Sequence, residues 1–121
     1  MKTYRIASIP GDGIGNEVIP AGVEVLQKLA SDFRMEFKDF DWSSKRFKDA
    51  GAYIPARGLE ELKKFDAIFF GAVGAPDVPD HLSLWGLRLP ICQGFDQYAN
   101  VRPSRLLPGI DSPMNNARDI D

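Results

Sequence analysis

The chain has 121 residues, of which 15 are Lys or Arg and 17 are Asp or Glu, for a formal net charge of −2. Hydrophobic residues at 44% and well-mixed charged residues at 26% suit a folded domain with a real core and exclude a disordered tail. The basic residues form no dense cluster, which argues against nucleic acid and anionic membrane as partners, and the single cysteine, Cys92, excludes a disulfide within the chain. No segment has the length and apolarity of a signal peptide or a membrane span, so a cytoplasmic protein is expected.

The apolar run Tyr4 to Pro10 stops at Gly11-Asp12-Gly13-Ile14-Gly15 and predicts a buried strand entering a glycine turn. A helix is expected next, with Asn16 as its cap, Glu17 at the positive end of its dipole and Pro20 in or near its first turn. Met35 to Trp42 alternates apolar and polar residues, as a strand does. Ser43-Ser44 can cap a short helix that ends at Gly51, and a second helix is predicted over Leu59 to Lys64. Asp66 to Val73 is almost uninterruptedly apolar, which predicts a strand of a parallel sheet covered on both faces. From Leu82 to Phe95 the chain is apolar but broken by Gly86, Pro90 and Gly94, so any helix there is short or distorted. Gln97 to Leu107, around Pro103, suits an edge or interrupted strand, and Ile110 to Asp121 offers almost nothing to bury. Strands alternating with helices give a layered α/β fold in one unit, with no internal repeat.

The turn Gly11 to Gly15 invites a phosphate-cradle reading, because glycines admit a ligand close to the backbone and a helix start presents N–H groups. Its spacing is G-x-G-x-G, not the G-x-G-x-x-G of a dinucleotide fingerprint, and Asp39 and Asp41 lie farther on than the acidic residue of that fingerprint. A plain tight turn explains the glycines equally well.

Three strings in register carry more: Ile9-Pro10-Gly11-Asp12-Gly13-Ile14-Gly15-Asn16-Glu17-Val18, Phe69-Phe70-Gly71-Ala72-Val73-Gly74, and Tyr98-Ala99-Asn100-Val101-Arg102-Pro103. Together they resemble the β-decarboxylating dehydrogenases, the family of isocitrate, isopropylmalate and tartrate/D-malate dehydrogenases. The stretch Val78 to Gly86, with Phe95-Asp96-Gln97-Tyr98, looks most like the tartrate/D-malate branch. The resemblance implies a layered αβα sheet of the isopropylmalate-dehydrogenase type, incomplete in this chain, with residues 1–121 forming the amino-terminal part of a domain about three times as long. It implies oxidation, with possible decarboxylation, of a 2-hydroxy diacid by NAD with Mg²⁺ or Mn²⁺, in a homodimer at full length. The family's base lysine, assisting tyrosine and metal-binding aspartates would follow beyond this sequence, so no catalytic or metal-ligating residue is assigned here.

A diacid's planar carboxylate suits the paired donors of a guanidinium. By resemblance Arg102 is the substrate-carboxylate arginine, and Ser83 and Trp85 occupy a loop that approaches substrate. Ile14 and Asp12 fall at the cofactor's edge, Ile14 through apolar contact with the adenosine. Cys92 stands where family members usually carry another arginine. Arg88, four residues earlier, would share a helical face with Cys92 on a regular helix and is the candidate replacement; Pro90 disturbs that geometry, and a solvent-exposed Arg88 is the alternative. Arg105 and the Lys63-Lys64 pair read as surface charges. His81 lacks companions at metal spacing, and Cys92 reads as a packed side chain, not a nucleophile. An isopropylmalate dehydrogenase portion is the alternative within the family. From another class comes a truncated, non-catalytic remnant that binds a nucleotide or a partner. Either way, 121 residues alone are expected to be inactive and to leave a strand edge and apolar surface bare.

Overall fold

The computed structural model describes residues 1–114. Strand β1 (Lys2–Gly11) leads into helix α1 (Gly15–Leu29), then β2 (Phe33–Asp39), α2 (Ser44–Ala50), α3 (Gly58–Leu62) and β3 (Ala67–Ala72). A broken helical stretch follows, made of α4 (Asp80–Ser83), a π-helical segment (Leu84–Arg88) and α5 (Leu89–Gly94). The three strands form one parallel sheet in the order β2-β1-β3, with Lys2 beside Phe33 at one end and Gly11 beside Ala72 at the other.

Alternation along β1 sorts the layers. Ala7 and Ile9, fully buried, face a core with Phe40, Trp42, Tyr53, Leu62, Leu87 and Ile91, which come from the segments following β2 and β3. Phe69 points the other way onto α1, where a Cβ at Gly22 would lie 2.7 Å from the Phe69 ring; glycine is what lets helix and sheet approach there. Helical segments on both faces of a parallel sheet give the expected αβα layering.

Local chemistry accounts for several boundaries. Ser43 Oγ accepts from the Arg46 N–H at 3.2 Å and starts α2, and Gly51, with φ of 74°, ends it in the left-handed conformation. Helix α1 begins at Ile14-Gly15 without a side-chain cap; the Asn16 amide instead donates to the Gly13 carbonyl at 3.3 Å. Pro20 is the sixth residue of α1, in its second turn and not its first, and there it removes a bond to the Asn16 carbonyl.

Two other expectations are corrected. Strand β3 is only half-buried, because among the described residues it is an edge of the sheet with no strand beyond it. Gln97 to Leu107 forms no strand: it pairs with nothing among the described residues, and Tyr98 and Val101 are 97% and 86% exposed. Proline at 103 removes a ladder donor, and Tyr98, Val101 and Leu107 cover no face, although Leu106 is half-buried. Of the polar end Ile110 to Asp121, Ile110 and Met114 are exposed and residues 115–121 lie outside the described part. On the outer side of α1, Val18, Val25 and Leu29 are exposed at helical spacing, an apolar stripe without a partner among the described residues.

Candidate functional site

The order β2-β1-β3 locates a crevice. From β1 the chain turns to one side of the sheet to make β2, then crosses to the other side to make β3. The carboxyl ends of β1 and β3 are therefore a topological switch point, where adjacent loops part in opposite directions and parallel sheets leave room for ligands. Gly11 and Ala72 pair there, and the Asp12 N–H donates to the Ala72 carbonyl at 2.7 Å.

The glycines of the turn answer first to packing. A Cβ at Gly15 would stand 1.9 Å from the Pro10 carbonyl oxygen, and one at Gly11, where φ is 74°, equally close to the Ala72 oxygen. The N–H groups of Gly15 and Asn16 donate to the carbonyls of Asp12 and Gly13 at 2.9 and 3.1 Å. Two donors of the helix start are thus already engaged within the turn. Ile14, in the same turn, has 59% of its surface exposed.

Asp12 faces inward. Its Oδ1 accepts from the Ser44 N–H at 2.8 Å, and its Oδ2 accepts from the Ser44 hydroxyl at 2.6 Å and the Gly74 N–H at 2.9 Å. Ser44 in turn contacts the Tyr53 hydroxyl at 2.8 Å. Sequence reasoning marked Asp12 as a site residue but took Ser44 only as a helix cap, Gly74 only as part of a family string, and passed over Tyr53, because their meeting depends on separate loops. Nearby, Lys48 pairs with Asp77 at 2.8 Å, joining α2 to the loop after β3. The hydrogen bond and charge of Lys48 hold the Asp77 carboxyl below its ordinary range, and those of Asp77 raise the Lys48 ammonium above its own.

The broken helix carries the next group. Leu89 donates to the Leu84 carbonyl, an i→i+5 bond, immediately before Pro90. The wider turn accommodates a proline ring that would crowd the Gly86 carbonyl in a regular helix. Trp85, 62% exposed, lines a groove of about 470 Å³ with Phe47, Tyr53, Ile54, His81 and Leu82. Ser83 is buried and its hydroxyl donates to the Asp80 carbonyl at 3.0 Å, so its proton is committed inside its own turn. Arg88 and Cys92 line one cavity of about 160 Å³ with Ile68, Phe70, Ile91 and Gln97. Arg88, itself exposed, and Cys92 border this cavity from either side of Pro90. Arg102 lies in the irregular segment, exposed, with no hydrogen bond or ion pair among the described residues. Among those residues no three His, Cys, Asp or Glu side chains gather as a metal would require, and no helix is long and apolar enough to cross a membrane.

The family model for isocitrate/isopropylmalate dehydrogenase matches residues 5–121. The chain belongs to this family. A probable tartrate dehydrogenase/decarboxylase of Agrobacterium vitis is 64% identical, covering 96% of this chain and 33% of the relative. The D-malate dehydrogenase [decarboxylating] of Escherichia coli (strain K12) is 50% identical over all of this chain and 35% of its own length. Among solved structures, a β-decarboxylating dehydrogenase from Thermococcus kodakarensis in its apo form is 35% identical. It superposes with a TM-score of 0.59 over 78% of this chain and 27% of that one. The chain spans about a third of the length of the curated relatives it matches.

Proposed function

We propose that this chain is the amino-terminal part of an NAD-dependent, divalent-metal-dependent dehydrogenase that oxidises, and can decarboxylate, a 2-hydroxy diacid of the tartrate or D-malate kind. The observation that carries the reading is the common cavity of Arg88 and Cys92 beside β3, in a family member whose similar relatives bear tartrate and D-malate dehydrogenase names. Arg88 supplies the cation missing at Cys92, and Arg102 supplies a second guanidinium for the other carboxylate. Trp85 and Ser83 shape the approach to the substrate, Trp85 by its exposed ring and Ser83 by holding the start of the broken helix.

NAD bound at the switch point would supply the hydride acceptor. Ile14 suits its apolar edge, exposed beside a turn in which Gly13 leaves open space, while Asp12 holds that turn in place. By the family resemblance, the ligands for Mg²⁺ or Mn²⁺ belong to the portion that the relatives have in addition. In this reading the 121 residues alone bind without turnover, and the whole enzyme is a cytoplasmic homodimer, as the family resemblance implies.

Titration of the chain with D-malate or tartrate, followed by amide NMR, tests the half-site. Saturable shifts at Arg88 and Arg102 that vanish in Arg102→Ala are expected. Equal binding by that variant would sink the assignment, and NADH formation by the isolated chain with Mn²⁺ would overturn its inactivity.

A further inference from the structure

Asp12 sits between two glycines of a surface turn, yet its carboxylate spends both oxygens on the protein's own loops. Oδ1 takes the Ser44 N–H, and Oδ2 takes the Ser44 hydroxyl and the Gly74 N–H. A serine hydroxyl has one proton, and here it lies on the carboxylate. The 2.8 Å contact between Ser44 Oγ and the Tyr53 hydroxyl therefore runs from phenol to serine, which fixes a direction along the chain: Tyr53 donates to Ser44, and Ser44 donates to Asp12.

Both intermediates are sealed from water, Ser44 completely and Tyr53 to within 1%. Hydrogen bonds to an ionised acceptor in such surroundings are among the stronger ones, and bonds in series reinforce each other. The far end of the series is also constrained. The Tyr53 ring stacks on Phe47 with centroids 4.9 Å apart, and a Cβ at Gly86 would lie 2.6 Å from its edge. Gly86 belongs to the π-helical segment, between Trp85 and Leu87.

We infer that Asp12 is a positioning residue, which locks the three loops at the carboxyl edge of the sheet into one unit and couples them, through Ser44 and Tyr53, to the segment carrying Trp85 and Arg88. The lock stands on the hydrogen bonds alone. Its consequence, that the cofactor lip at Ile14 and the substrate residues keep a fixed spacing, rests on the dehydrogenase reading.

Amide NMR and hydrogen exchange on the 121-residue chain, with no ligand present, test the lock separately from that reading. Asp12→Asn keeps the shape. Its carboxamide oxygen still accepts from the Ser44 N–H, but its NH₂ group meets the Gly74 N–H, donor against donor. Gly74 exchange is expected to quicken about tenfold, while Ser44 and the Ile9 reference amide in β1 stay within about twofold. Ser44→Ala and Tyr53→Phe each cut the series beyond Asp12 and are expected to shift the Gly86 and Trp85 amide signals in the same direction, with Gly74 still protected. Unchanged Gly74 protection in Asp12→Asn overturns the lock. If that variant loses protection throughout β1, the other two decide: Gly86 and Trp85 signals that ignore both overturn the coupling. Failure of the dicarboxylate titration would leave all these outcomes intact.

Discussion

Replacing Gly86 by Ala adds one methyl group at the tightest contact between the π-helical segment and the core. The new Cβ would lie 2.6 Å from Tyr53 Cδ2, where ordinary contact begins at 3.4 Å, so something must yield by about 0.8 Å. Tyr53 is poorly placed to yield. It is buried, stacked on Phe47, and tied through its hydroxyl to Ser44. Overpacking of this kind costs about 1–3 kcal/mol. Alanine's better helix propensity returns about 1 kcal/mol of that, so from the middle of that range a net destabilisation of about 1 kcal/mol remains. Urea unfolding of both proteins measures it as a lower midpoint at unchanged slope. In a Tyr53→Leu background the smaller side chain clears the space, and the same Gly86→Ala change is expected to be neutral or stabilising. Gly86→Ala that leaves the midpoint unchanged or raises it in the wild-type background would refute the reasoning, because it would mean that the Tyr53 ring moves freely.

Ser8 on the central strand is fully buried and its hydroxyl has no hydrogen-bond partner among the described residues. Ser8→Ala removes a desolvated, unpaired group and is expected to stabilise by about 1 kcal/mol; a lower urea midpoint would point to a partner for that hydroxyl. The Asp77 carboxyl, held low by Lys48, is more acidic in the folded chain than in the unfolded one. Its pairing therefore favours the fold at pH above the ordinary carboxylate range and is lost as the pH falls through the depressed folded value. Both groups are exposed, so the effect is small and salt-sensitive. In Lys48→Met the Asp77 side-chain titration should move upward, and an unmoved midpoint would remove the ion pair from solution. The apolar stripe of α1 should drive self-association. Val25→Glu with Leu29→Lys is expected to lower the apparent mass in sedimentation, and an unchanged mass would place the sticky surface elsewhere.

Features written in a few consecutive residues were legible in the sequence. The apolar run into Gly11, the Ser43 cap with its Gly51 stop, and the distortion announced by Gly86 and Pro90 all appear where local sterics put them. What depended on neighbours was not legible. The apolar pattern of β3 describes a strand covered on both faces, and nothing local reveals that in this chain it stands at an edge. Residues 97–107 carry strand-like side chains, yet a strand also needs a partner, and none of the described residues provides one. Pro20, expected in or near the first turn, falls in the second, since α1 begins at Gly15 and not after Asn16 as its cap. The Arg88–Cys92 neighbourhood was within reach because four residues span about one helical turn, whether regular or π-shaped. The Asp12–Ser44–Tyr53 series was out of reach, because it joins residues 32 and 9 positions apart that only the finished sheet brings together.

The most direct test of the dehydrogenase reading exchanges this chain for the corresponding third of the Agrobacterium vitis relative, with that relative as control, and follows NADH formation from tartrate and D-malate with Mn²⁺. The expected result is turnover that falls at least about tenfold in Arg88→Ala, the loss of one charge-assisted contact, and recovers when Cys92→Arg is added. A folded chimera that forms no NADH, or one whose turnover ignores both Arg88→Ala and Arg102→Ala, would contradict the account.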